Sequence, residues 1–371
     1  MHDRTALAGR LGAPLPTAVR VHLDQLTDRT GILQHAIGWA GDPQHGYCAD
    51  DVARALELDL MQSRALGWTA VAHRARSNLR FLRDGYRPAD RWFSNFRRVG
   101  GEWLPDPGSE DCQGRVALAL GSVLAWCPEP RLVELARALL IDFVASVDRL
   151  GAPRAIASTV LGLELAMDGG LPGIRETHAR LAGRLMAAFA PVTDPEWLWP
   201  ESTLTYENAL LPRALISAGG RLGLPEMTAT GLRSLDWLID RQTAPEGHLS
   251  LVGNGWWPRG GPRSRFDQQP IDATALLRAC ATALDATGQH KYRHTMELTY
   301  AWFLGANDAG VALADPARGA GCDGLSPHGV NSNHGAESTL MWLIAVEQMR
   351  LLRSSLVMRA DDGQARQAFL A

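Results

Sequence analysis

The sequence predicts an all-α protein in which six helical hairpins close into an (α/α)6 toroid, and three observations carry that prediction. Segments that are apolar or small on nearly every face alternate along the chain with segments that keep one apolar stripe and one charged face. The starts of the all-apolar segments are separated by roughly 40 to 65 residues, a period typical of repeated supersecondary units. Almost no window shows the alternation of a half-buried strand, and the few β-branched stretches are short and flanked by Gly or Pro.

In chain order, an outer helix is expected over 16–26 and an inner helix over 51–66, which turns through Leu66-Gly-Trp68 into an outer helix over 70–83. The second inner helix, 111–126, holds the run Val116-Ala-Leu-Ala-Leu120 and turns at Cys127-Pro-Glu-Pro130 into an outer helix over 131–147. There Leu132, Leu135, Leu139 and Phe143 recur at helical spacing against Arg131, Glu134, Arg137 and Asp142. Inner helix 154–167 is followed by outer helix 174–189. Inner helix 207–218 passes through Gly219-Gly-Arg-Leu-Gly-Leu224 to outer helix 226–239, and inner helix 271–284 turns at Thr287-Gly-Gln289 into 290–303. The last inner helix, 336–352, carries Leu340-Met-Trp-Leu-Ile-Ala-Val346 and belongs inside. One barrel domain is expected over 1–355, with a polar C-terminal tail over 356–371.

The chain of 371 residues is 46% hydrophobic and 21% charged, ordinary for a folded protein. Its 37 basic and 40 acidic residues give a net charge of -3 with no block of one sign, so neither nucleic acid nor an anionic membrane surface is an expected partner. No stretch approaches the ~20 apolar residues of a membrane span, and residues 1–23 hold no apolar run of signal-peptide length, so a cytoplasmic location is expected. Five scattered cysteines without a CxxC pair predict reduced thiols rather than disulfides or structural zinc. A homo-oligomer is left open.

Links from inner to outer helices are short, whereas links leading into inner helices are long and rich in Gly, Pro, Asn and Trp. Long irregular loops on one face of a rigid scaffold carry function. The working face is therefore expected at the N-termini of the inner helices. The loops there read Gly46-Tyr-Cys-Ala-Asp-Asp51, Gly108-Ser-Glu-Asp-Cys-Gln-Gly-Arg115, Trp199-Pro-Glu-Ser-Thr-Leu-Thr-Tyr-Glu-Asn208, Phe266-Asp-Gln-Gln-Pro-Ile-Asp272 and Asn331-Ser-Asn-His-Gly-Ala-Glu337. Single acids at these positions serve equally well as helix caps. Capping does not require Glu110 beside Asp111, Gln113 and Arg115, nor Tyr206-Glu-Asn208, nor Gln268-Gln269. The exception is Leu150-Gly-Ala-Pro-Arg154, short and without an acid, which should form a low wall and contribute at most Arg154.

Aromatic residues occupy the same loops: Tyr47, Trp92, Phe93, Trp103, Trp197, Trp199, Trp256 and Trp257, in a chain with twelve Trp. Indole beside carboxylates and amides suits a sugar-binding cleft, and equally a hydrophobic clamp that holds long loops down. Asn254, between Gly253 and Gly255, joins this group.

The alternation and these motifs together resemble the six-hairpin glycosidase superfamily over nearly the whole chain. Within it the chain is most similar to bacterial helical proteins encoded near glycoside-processing enzymes and loosely labelled glycosyltransferases. The resemblance implies an oligosaccharide substrate and acidic catalysts, often acting by inversion. Inversion needs one protonated carboxyl and one carboxylate about 6.5 to 9.5 Å apart, retention about 5 to 5.5 Å. Asp111, at the head of an apolar helix, is the expected acid and Asp51 the expected base, with Glu110 the alternate and Glu207, Asp272 and Glu337 in reserve. Arg115, one turn from Asp111, favours the reverse assignment. Of two adjacent acids such as Asp50-Asp51, about 100° apart on a helix, one should point inward and the other cap or orient.

Expected substrate contacts are Tyr47, Asp50, Trp92, Gln113, Arg115, Trp199, Asn208, Asn254, Trp256, Trp257, Asp267, Gln268, Asp323, Asn331, Asn333 and Glu337. No metal or cofactor is expected, since Asp267, Asp323, Asn331 and Asn333 lack EF-hand spacing and the loop histidines lack zinc-site spacing. Two other classes stay open. A sugar epimerase, isomerase or lyase would use His248 or His328 as acid and base, and a glycan-binding toroid would turn nothing over.

Overall fold

The computed structural model describes residues 15–105 and 108–370, with side chains as far as residue 354. Among the described residues the helices are α1 Val21–Leu26, α2 Ala49–Leu66, α3 Trp68–Gly85, α4 Glu110–Trp126, α5 Pro130–Val144 and α6 Pro153–Asp168. They continue with α7 Arg175–Phe189, α8 Leu210–Leu222, α9 Pro225–Arg241, α10 Pro270–Thr287, α11 His290–Phe303 and α12 Ala336–Leu370. Helices α2, α4, α6, α8, α10 and α12 pack side by side in that order, and α12 returns to α2. Helices α3, α5, α7, α9 and α11 each lie outside the inner helix that precedes them, and α1 lies against α12. This is the expected (α/α)6 toroid.

The periodicities convert directly into position. In α4 every residue from Cys112 to Leu124 is buried, as an inner helix requires, whereas α5 buries only the stripe Ala136, Leu139, Leu140 and Phe143. Pro in the first turn starts α5, α6, α9 and α10, and left-handed Gly223 and Gly288 end α8 and α10.

The tightest inner contact is between α4 and α6. A Cβ on Gly114 would press on the backbone of Ala155, one on Gly121 would collide with the carbonyl of Gly162, and one on Gly162 would strike the backbone of Ala117. Only glycine lets these helices approach so closely.

The first outer helix covers only Val21–Leu26 of the expected 16–26, the last inner helix runs on to Leu370 through the expected tail, and two further details depart from the sequence reading. Helix α8 begins at Leu210 instead of 207, because Glu207 is left-handed with φ 46°. An antiparallel hairpin, β1 Leu33–Ile37 and β2 Ala40–Cys48, extends by a short strand at Phe96–Arg97 into a three-stranded sheet. The stretch Ala40-Gly-Asp-Pro-Gln-His-Gly46 has little β-propensity, so its strand character comes from contacts. Gly38 turns the hairpin at φ 60°, its N–H donates to Asn333 Oδ1 at 3.0 Å, and its carbonyl lies 3.1 Å from His334 Nδ1. Among the described residues no helix is long and apolar enough to cross a membrane.

Gly121→Ala should destabilise the protein by about 1–3 kcal/mol in chemical denaturation, the cost of overpacking a tight core. Gly183→Ala, in outer α7 with open space where its Cβ would stand, should be neutral or stabilising. Equal effects at the two positions would contradict a glycine seam between α4 and α6.

Candidate active site

The N-terminal ends of α2 and α12, the loop before α10 and strand β1 converge on a cleft of about 360 Å3. Its walls carry Asp50, Asp51, Arg54, Asp323, Glu337 and His35. Asp51 lies in the first turn of α2, and Arg54, one turn on, donates from Nη1 to Asp51 Oδ1 at 2.8 Å. The Nη2 of the same guanidinium stands 2.8 Å from Glu337 Oε2. Arg115, from α4, makes the parallel connection: Nη2 donates to Glu207 Oε2 at 2.7 Å, and Nη1 lies 3.5 Å from Asp50 Oδ1. Asn95 Nδ2 donates to the other Asp50 oxygen at 3.1 Å. Two cations thus tie four carboxylates together across the ring.

Burial divides the acids. It pushes Asp51 up to about 7, against the pull of Arg54 and with further help from the Glu337 and Asp50 charges. Glu337, by contrast, keeps 42% of its side chain exposed. Burial also raises Asp272 to about 8, opposed by Arg154, reinforced by Glu207 and opposed again by the backbone N–H groups of Asn208 and Glu207. Asp272 therefore faces the strained Glu207 turn. Arg154 holds that turn from the other side, donating to Glu201 through both terminal nitrogens, to Tyr206 O at 2.6 Å and to Asn208 Oδ1 at 3.2 Å. The short approach to α6 adds no residue to the cleft lining.

The structure brings together Asp50, Asp51, Asp323 and Glu337 in the cleft, with Arg115 and Glu207 in a small cavity of about 30 Å3 beneath it. Asp50 and Asp51 both line the cleft, contrary to expectation. The cleft is wide enough that side chains about 100° apart still reach its wall, each on its own guanidinium. Glu110 does behave as a cap: its Oε2 accepts the N–H groups of Gly151 at 2.7 Å and Ala152 at 2.5 Å, ahead of α6. Asp111 is only half-buried and accepts the Tyr206 hydroxyl, so the burial that made it the expected acid belongs to Asp51 instead.

Most other expected contacts hold loops. The Gln113 amide clasps the backbone of Phe93, and Gln268 bonds Arg265 O, Asp308 and the Trp302 indole. Asn208 closes its turn onto Thr205, Asn333 anchors Gly38, and Asn331 accepts the Asn333 N–H. Buried Tyr47 donates to Asp28, and Trp92 lies in the core with Arg149 over its ring. Trp199 packs edge-on to Phe189, while Trp257 stacks on Trp237. These aromatics clamp loops. Asn254, Trp256 and Asp267 are exposed and absent from the cleft lining. His248 stands 3.3 Å from Asp308, and His328 is exposed in a turn, also away from the cleft.

The sequence reading missed Arg54, Asn95, Gln34 and His35. Arg54 was marked by its place one helical turn after Asp51. His35 and Gln34 arrive on the hairpin, which left no legible pattern.

No protein-family model matches the chain, and no curated protein matches it by sequence. In structure it is similar to a D-mannose isomerase, at a TM-score of 0.68 and 11% identity, covering 90% of this chain and 95% of the other. It is similar to a cellobiose 2-epimerase from Bacillus thermoamylovorans, at 0.66 and 11%, covering 90% and 96%. A third is an inactive variant of an α-1,6-mannanase from Salegentibacter in complex with α-1,6-mannotetrose, at 0.61 and 11%, covering 90% and 96%. The fold is the (α/α)6 toroid of these structures. It is shared by glycoside hydrolases and by sugar epimerases and isomerases alike.

The raised Asp272 gives a signed prediction. Between pH 4 and about 8 the folded state holds a proton there that the unfolded state has released, so this stabilisation is lost as pH rises through that window. Wild-type stability relative to Asp272→Asn, read by urea denaturation, should therefore fall from pH 5 to pH 8. A difference independent of pH would contradict the assignment.

Proposed function

We propose that this chain is a glycoside hydrolase that cleaves an oligosaccharide by inversion, with Asp51 as general acid and Glu337 as general base. The observation that carries the reading is a buried carboxyl raised to about 7 and an accessible carboxylate held at the two ends of one guanidinium. Oxygens each 2.8 Å from the two nitrogens of a guanidinium lie no more than roughly 8 Å apart, which reaches into the spacing that inversion uses. Asp51 protonates the departing glycosidic oxygen while Glu337 takes a proton from the water that attacks the anomeric carbon. Arg54 then faces the carboxylate that Asp51 becomes, and stabilises the charge as it develops. Asp50 and Asp323 offer acceptors for sugar hydroxyls.

One observation favours a second reading, sugar epimerisation or isomerisation. His35 lines the same cleft, with His45 edge-on at 4.7 Å, and imidazole suits proton transfer at a carbon beside a carbonyl. The two readings separate by product: hydrolysis gives shorter sugars, whereas epimerisation in D2O places deuterium on the sugar carbon.

Manno- and gluco-oligosaccharides should be cleaved with anomeric inversion by NMR, and Asp51→Asn and Glu337→Gln should each lower kcat by about two or more orders of magnitude with the fold intact. The alkaline limb of the pH profile, as Asp51 loses its proton near 7, should vanish in Asp51→Asn. Azide should restore Glu337→Gln on an activated glycoside. Near-normal turnover in both variants would remove the pair, and deuterium incorporation abolished by His35→Asn would replace hydrolysis with epimerisation.

A further inference from the structure

The opposite mouth of the barrel, at the C-terminal ends of the inner helices, holds a larger cavity of about 760 Å3, within the about 300–1,000 Å3 of small-molecule sites. Its charges pair off almost completely. Arg221 donates to Asp168, Arg278 donates through both terminal nitrogens to Glu57, and Glu164 is taken by His178 at 2.9 Å and by the Ser217 hydroxyl. Besides the exposed Arg64, Arg213 is left over. It lines this cavity and makes no side-chain hydrogen bond or ion pair with any described residue, and its Nε is buried without a partner.

We propose that Arg213 and the facing Arg278 form the floor of an anion site open to the opposite mouth, one that takes a phosphate group, free or as an ester of a small molecule. A guanidinium fork matches two oxygens of a phosphate, and Arg213, though it feels nearby carboxylates, has no acceptor hydrogen-bonded to its fork. Burial, with the neighbouring Arg278 cation, lowers Arg213 to about 9 despite the Glu57, Glu164 and Glu207 charges, and a bound oxyanion opposes that pressure. The negative ends of the inner helices do not reach the floor. Arg213 and Arg278 each stand more than two turns before the ends of α8 and α10, beyond the last turn where the macrodipole acts. Asp168 and Asp285, nearer the mouth, disfavour a ligand whose charge extends outward. Arg213 and Arg278 also line the small cavity beneath the cleft, so the floor of this site is the layer that separates the two mouths.

The test is calorimetric titration and thermal unfolding of the full chain with inorganic phosphate, glucose 6-phosphate and, at equal ionic strength, chloride. Phosphate should bind and raise Tm beyond chloride. Arg213→Met should weaken binding at least tenfold while raising Tm in chloride, because it removes a desolvated guanidinium whose N–H donors have no acceptor. Tighter binding of glucose 6-phosphate identifies an ester as the occupant, and equal or weaker binding identifies the free anion. Phosphate acting no differently from chloride would overturn the proposal, as would undiminished binding in Arg213→Met. If that variant does not fold, Arg213→Lys, which keeps the charge without the fork, should still bind at least tenfold more weakly, and wild-type affinity there would equally overturn it.

Discussion

A ring of helices that all point their N-termini the same way gathers the acids of their first turns into one place, and those acids repel one another. Arg54 and Arg115 resolve this. Each guanidinium spans two carboxylates from different elements: Arg54 joins α2 to α12, and Arg115 joins α2 and α4 to the loop before α8. Without these bridges, Asp50, Asp51, Glu207 and Glu337 could not share one end of a barrel whose walls exclude water.

The bridges also set the chemical differences between the acids. Asp51 is sealed within the first turn of α2 and retains its proton near neutrality, whereas Glu337, on the other nitrogen of the same guanidinium, meets solvent. The two carboxyls share one cation but not one environment, and burial raises the pKa of Asp51. The support extends outward. Left-handed Glu207 reaches Arg115 only because Asp272 and Arg154 hold its turn from two sides, and such strain persists only where surroundings over-determine it.

Downward, the barrel axis continues as a column of charge. Glu57 and Arg278 pair at mid-height, and Arg213 beside them lies near the Glu57, Glu164 and Glu207 charges while its Nε has no hydrogen-bond partner. The glycines of the α4–α6 seam bring two inner helices together on one side of this column, so that the polar axis is enclosed by backbone as much as by side chains.

The sequence by itself determined the toroid, because a helix apolar on every face has nowhere to go but inside, and one with a single stripe has one way to lie upon it. It placed the acidic cleft as well, since long polar loops gather where inner helices begin. Only the tertiary structure decided which acids meet. Glu110 and Asp111 are neighbours in one motif, yet one caps α6 and the other accepts a tyrosine hydroxyl, while Asp51 and Glu337, 286 positions apart, share a guanidinium. The loop tryptophans went the same way: composition placed them in the loops, and packing against Phe189 and Trp237 made Trp199 and Trp257 clamps. Hairpin β1–β2, which brings His35 to the cleft, had no signal because its backbone is held by Asn333 and His334 from the far end of the chain. Hydrophobic pattern is local and survives in sequence; burial, charge pairing and pKa depend on which distant residue arrives opposite, and closing the ring decides that.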